Sequence, residues 1–385
     1  MADLIHEGTR EDSWAFAEDY LKPAEEIIDC LINKLPVKQD ADYKDAVTAA
    51  LNTSHGRVIN AVISLSLRKA RIEDKKGVKK DIKWDPIKYN ALLEKGVVEA
   101  FTLFGQYMPN FAYLNRPWVV QKVKEFESFT KDDIRWQSFI QGYLFGGRVY
   151  QDLYNLMRNH YLKAMDADFK EGHTEERFIQ HITIGYLRGV ESLDDKESLF
   201  KRIIDRWKYS HLQEIVEFFW SQSDYLVRQA KEEESEENKK VKDRIIKFWQ
   251  WTYQNIDMIK GKLKDNYKKL LSDLSRLTII LERIDSESAK WLLLSAPAVD
   301  IEFNSSFFLE YLDKFEDKES IQFVAKIFLE MLSAITPDYD QKHITSIVNK
   351  IYQLGDESEA DKICNIYGSR GYEFLRPIYE GYHKK

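Results

Sequence analysis

An all-α fold is what this sequence predicts, and three observations predict it. Gly and Pro are scarce, at 16 and 8 of 385 residues. Those shares lie below the usual ones of about 7% and 5%, so turns are few and elements long. Apolar residues recur at three- and four-residue spacing along nearly the whole chain, as a helix with one buried face requires. No stretch sustains period-two alternation, so no significant sheet is expected.

The elements follow in order. Pro23 can open a helix, because its missing N–H would be unpaired in a first turn. Ile27, Ile28, Leu31, Ile32 and Leu35 continue it and Pro36 ends it. A new pattern starts at Asp42, with Val47 and Leu51 before Asn52-Thr53-Ser54-His55-Gly56 and Val58, Val62 and Leu65 after it. Thr53 or Ser54 is the expected N-cap, its oxygen taking a free backbone N–H. Residues 73–85 (EDKKGVKKDIKWD) read as an exposed charged loop, with helices at 86–104 and 117–129. Pro117 stands where a first turn would begin. Residues 130–165 read as a helical pair that breaks or packs closely at Gly146-Gly147.

Further on, 178–190, 199–207 and 212–227 each bury one face. The charge run 232–242 reads as either a solvated helix extension or a mobile linker. Leu263, Leu270, Leu274, Leu277 and Ile284 lie on one long amphipathic helix. The last stretch resembles stacked pairs at 289–294, 305–315, 318–332, 341–354, 357–367 and 372–379. Pair spacing of about 35 to 45 residues falls within the tetratricopeptide and HEAT range. The expected architecture is therefore an irregular α-solenoid, a superhelix of helical pairs. It divides into an N-terminal helical segment (1–41), a helical array (42–230), a charged segment with long helices (231–285) and C-terminal helical repeats (286–385). Such arrays offer extended surfaces to large partners rather than closed cavities.

Composition narrows the function classes. The net charge of −7 argues against general affinity for nucleic acid, whose binders usually carry a basic surplus. A local basic patch stays open, as does an oligomer. Two cysteines far apart, Cys30 and Cys364, make neither a disulfide framework nor a thiolate metal cluster and read as small buried apolar residues. No apolar run reaches the roughly 20 residues of a membrane span, and the first residues lack the basic start and apolar core of a secretory signal. The expectation is a cytoplasmic protein with no membrane partner.

Chemistry-bearing motifs are thin. Gly261-Lys262 lacks the upstream Gly and the following Ser or Thr of a P-loop. His211 and Glu214, at i and i+3, lack the second pair of a zinc helix, so no metal and no cofactor are expected. Arg206 and His211 have a spacing at which an all-helical ribonuclease could place a phosphate-stabilising Arg and a proton-transferring His. The competing reading puts both at a helix end, where a cation favours the dipole. Trp249, Trp251 and Tyr253 fall on alternate positions and cannot share one helix face, so one or two of them are candidate interface anchors. Phe307, beside Phe308, is another.

Three blocks carry a family resemblance. The first is Ala50-Leu51-Asn52-Thr53-Ser54-His55-Gly56-Arg57. The second holds Trp136, Phe139, Gly142-Tyr143-Leu144-Phe145, Val149-Tyr150 and His160-Tyr161. The third holds Ala360, Cys364-Asn365, Tyr367, Gly371 and Phe374-Leu375-Arg376. Together they resemble the C-terminal helical sensor region of large bacterial anti-phage defence proteins, the Avs-type STAND NTPases and the sirtuin-effector proteins. The similarity runs weakly over 42–382 and strongly only in these blocks. It implies a non-enzymatic sensor that binds a phage structural or packaging protein, with any effector or NTPase domain supplied by the same parent protein. It implies no catalytic residue here. Trp136 and Phe139 read as core, and Gly142 as a close-packing position. The alternatives are the ribonuclease of Arg206 and His211, and a host scaffold protein.

Overall fold

The computed structural model describes residues 1–35, 45–78, 80–169, 172–229, 235–300 and 303–384. All regular elements among them are helical; one isolated bridge joins Ile82 and Asn115. The chain forms two compact units, 1–185 and 186–385. The first holds α1 (Ala2–Arg10), α2 (Leu21–Lys34), α3 (Ala46–Asn52), α4 (Ser54–Lys75), α5 (Ile87–Glu94), α6 (Val98–Gln106), α7 (Met108–Phe126), α8 (Ile134–Phe145), α9 (Gln151–Leu156) and α10 (Arg158–Ala164). The division falls within α11 (Gly172–Leu187). The second unit continues with α12 (Leu199–Ile204), α13 (Tyr209–Gln229), α14 (Glu236–Gln254), α15 (Ile256–Leu263), α16 (Asn266–Ser275), α17 (Ser286–Ser295), α18 (Asn304–Asp313), α19 (Lys318–Leu332), α20 (Gln341–Leu354), α21 (Glu357–Ser369) and α22 (Arg376–His383).

In the first unit α4 starts where the sequence places it. Thr53 caps it by accepting the Gly56 N–H at 3.1 Å, and its hydroxyl donates to the buried Glu99 at 2.8 Å. Thr53→Ala is expected to cost about 1 kcal/mol for the cap, and more because Glu99 loses a donor. Thr53→Ser should restore most of it. Urea denaturation checks this, and a Ser variant as unstable as the Ala variant would contradict the capping account.

Pro117 also behaves as its chemistry demands. Asn115 leaves helical geometry (φ −160°, ψ 84°) and its Oδ1 accepts the Trp118 N–H at 3.1 Å, so it caps the second half of α7, and Pro117 falls in the new first turn. Around it a cluster of rings fills the core: Trp84, Tyr89, Phe104, Phe111, Trp118, Phe126 and Phe139, with neighbouring centroids 4.9 to 6.1 Å apart. Edge-on contacts dominate, as ring quadrupoles prefer. Helices α6 and α8 cross closely at Gly105 and Gly142.

Several expectations need correction. The helix α4 runs on to Lys75, so the charged loop begins later than residue 73; Gly77 then turns the chain at φ 78°. The expected helical pair at 130–165 does break at Gly146-Gly147, but its second half is itself divided at Met157. The long helix through 263–284 does not form. Lys264 has φ 49°, α16 ends at Ser275, and Arg276–Ile280 tightens into a 3-10 turn. The β-branched run Thr278, Ile279 and Ile280 disfavours continued helix. In addition, Lys314 Nζ donates to the carbonyls of Thr278 (2.9 Å) and Ile279 (2.6 Å). Burial, helped by the charge of Lys242, pushes the Lys314 ammonium down to about 7. The final helix lies one turn beyond 372–379, because Gly371 has φ 87° and Pro377 occupies its first turn. Cys30 is exposed rather than buried. The expected stop at Pro36, the boundary at Asp42 and the start of the charge run at Glu232 lie outside the described residues. From Ser235, which caps α14, that run is helical.

Candidate functional site

The residues singled out from sequence fall into three places. Arg206 is exposed just beyond α12, whereas His211 is buried in the first turn of α13. Between them the chain reverses at Trp207, whose φ is 53°. The dipole argument therefore suits Arg206, at a C-terminal end, and not His211, at an N-terminal one. On α14, Trp249 is 2% exposed and stands against Trp291, centroids 5.4 Å apart, as part of the core. Trp251 is half-buried and stacks on Trp207 at 5.6 Å with the planes 10° apart; Tyr253 is also half-buried.

Phe307 is different, because it belongs to a surface. It meets Trp220 of α13 at 5.0 Å (64° between planes) and Phe303 at 4.9 Å (75°). Trp220 and Phe303 also meet, at 6.4 Å. Phe303 is 52% exposed, and Trp220 and Phe307 are half-buried. These rings thus form one apolar patch open to solvent. Trp220 is held in place, since its Nε1 donates to the Tyr311 hydroxyl at 3.0 Å.

Beneath the patch lies a charged network. The Arg276 guanidinium sits 4.9 Å from the Trp220 ring centre, a cation–π contact. It donates to Glu217 at 2.8 Å and to Asp273 at 3.2 Å. Tyr209 donates to Asp273 at 3.0 Å. Burial raises the Asp273 carboxyl even against the Arg276 charge, and burial beside Asp273 raises the Tyr209 hydroxyl. Asn304 bridges to Ser272 at 2.8 Å, and the Ser272 hydroxyl donates to Asp300 at 2.7 Å. Burial works to raise Asp300, yet that hydroxyl and the amides of Phe303 and Asn304 hold it below the usual carboxylate range. The same contacts fix the start of α18 and hence the position of Phe303.

Sequence reasoning singled out Phe307 but neither Trp220 nor Phe303, which pack against it. A usable signal existed for the first. Phe218, Phe219 and Trp220 are consecutive, and at 100° per residue three adjacent rings cannot all enter one core face. Phe219 is fully buried and its neighbours are not. Phe303 offers no local signal; its backbone amide is held by the Asp300 carboxylate at 2.9 Å.

The site gathers part-exposed aromatic rings over a buried cation paired with carboxylates. Among the described residues no three His, Cys, Asp or Glu side chains are placed to hold a metal ion, and no helix is long and apolar enough to cross a membrane. Comparison with protein-family models, curated proteins and solved structures returns no match.

Proposed function

We propose that this chain is a recognition module that senses another protein, specifically a phage structural or packaging protein, on behalf of a bacterial anti-phage defence system. The patch of Trp220, Phe303 and Phe307 carries the recognition half of this reading. Partly exposed Trp and Phe rings, already fixed by their neighbours, are effective interface anchors because they bring large apolar area at little cost in entropy. The defence half rests on the three sequence blocks around Thr53, Trp136 and Cys364. Trp136 and Phe139 of the second block are buried.

In this reading the helices make an irregular superhelix of pairs, of the HEAT or tetratricopeptide kind, working in the cytoplasm without a catalytic residue of its own. An effector or NTPase domain belongs to the same parent protein. Binding biases that effector only as far as the phage protein prefers one of its two states.

The experiment is capture from phage-infected bacteria with the partner identified by mass spectrometry. The wild-type chain is expected to recover a phage structural or packaging protein. A Trp220→Ala/Phe303→Ala variant should recover at least about tenfold less, the effect of losing a pair of anchors. Recovery of host proteins alone would remove the basis of the proposal.

A further inference from the structure

The rings of the patch do not stand alone: two exposed or part-exposed carboxylates stand on the same helices. Glu217 lies one turn before Trp220 on α13, and Glu310 lies one turn after Phe307 on α18, so each shares a helix face with its ring. Glu217 is 47% exposed at its side chain and Glu310 is exposed. The cation of the site, Arg276, is buried and already faces two carboxylates, Glu217 and Asp273. Asp273 is buried with it, so among these described residues the charges that reach solvent are the carboxylates of Glu217 and Glu310.

Within the chain, the site already holds one cation. A guanidinium lies over Trp220 while bonded to the neighbouring Glu217. Ring face plus carboxylate is the combination that suits arginine, whose planar, weakly hydrated head stacks and bonds at once. Phe303 and the outer side of Phe307 present ring surface of the same kind to solvent.

We infer that this surface docks a basic, apolar segment of the partner protein: an arginine or lysine flanked by aliphatic side chains, the cation set between the rings and the carboxylates of Glu217 and Glu310. This rests on the protein-recognition reading above. Aliphatic neighbours cover Phe303 and Phe307, and the cation supplies complementarity that an acidic or neutral segment lacks. Contact with the rings sets the dissociation rate, and the rim carboxylates set the association rate and its dependence on salt.

The test uses the full chain and a short capped peptide of repeated Arg-Leu-Ala, with a Glu-Leu-Ala peptide as control, by surface plasmon resonance at low and physiological salt. The basic peptide is expected to bind and the acidic one not. Glu217→Gln/Glu310→Gln should weaken binding about tenfold and flatten its salt dependence, as loss of complementary rim charge does. Phe303→Ala should weaken it at both salt concentrations. Glu310→Gln alone, at an exposed position, guards against misreading a folding defect. Equal binding by wild type and variants would mean only the general pull of an acidic chain and would overturn the inference. So would failure of the basic peptide to bind, or preference for the acidic one. The two failures separate cleanly. If phage-protein capture still depends on Trp220 and Phe303 while the basic peptide fails, only the charge assignment falls. If capture ignores those rings, the recognition surface itself falls.

Discussion

Gly142→Ala is expected to destabilise the first unit severely. An added Cβ at Gly142 would lie 1.9 Å from the Thr102 carbonyl oxygen and 2.7 Å from its carbon; at Gly105 it would lie 2.2 Å from the Phe139 oxygen and 2.6 Å from the Tyr143 nitrogen. The obstacles are backbone atoms of the facing helix, so no rotamer change relieves them. The crossing is lined by fully buried Phe104 and Phe139 and cannot spread without opening the core. Overpacking usually costs about 1 to 3 kcal/mol and sometimes more, and a backbone collision on both helices places each variant at or above the top of that range. At roughly 2 to 4 °C per kcal/mol for units of this size, the melting transition should fall by about 6 °C or more. Gly368→Ala is the control. It lies within α21 with open space around it, so it should gain up to about 1 kcal/mol from better helix propensity. A Gly142→Ala variant as stable as wild type would mean that α6 and α8 do not cross as described.

Stability of the first unit is also expected to fall steeply as pH drops from about 6.5 toward 4. Two buried histidines cause it. His160 is locked as a neutral ring: its Nε2 donates to the Val123 carbonyl at 2.9 Å, and its Nδ1 accepts from Trp136 Nε1 at 3.0 Å. A second proton would set one N–H against another. Burial pushes His160 down to about 4, and burial does the same to His181, which lies 3.1 Å from the Tyr161 hydroxyl. Both folded values lie below the ordinary one near 6.5. The unfolded chain therefore takes up protons first, so the stability is fully present above 6.5, drains away as pH falls, and levels off below 4. At 1.36 kcal/mol per pH unit, each histidine contributes roughly 3 kcal/mol to that loss. Melts between pH 7.5 and 4 check it, together with ring-proton titrations by NMR. A flat profile, or ring shifts moving near pH 6.5, would show the two rings to be open to water.

Much of the helical plan was legible because it is local. The Thr53 cap, the Pro117 start and the break at Gly146-Gly147 each follow from a residue's own backbone or hydrogen-bonding preferences. What was not legible depends on residues distant in sequence. Gly105 looks like an ordinary helical glycine until α8 is laid against it. The expected helix through 263–284 gives way to a 3-10 turn whose Thr278 and Ile279 carbonyls are taken by Lys314, from just beyond α18. The patch is the extreme case. Phe307 stood out beside Phe308, but Trp220 and Phe303 come from separate elements and acquire meaning only once Asp300 and Tyr311 have set their positions.

Hydrogen exchange on the chain, alone and bound to whatever phage protein the capture experiment recovers, bears most closely on the proposal. Recognition through the ring patch predicts slowed exchange in 215–223 of α13 and 303–311 at the start of α18, lost when Phe303 is replaced by alanine. Protection confined to other helices, with these two segments unchanged, would contradict it.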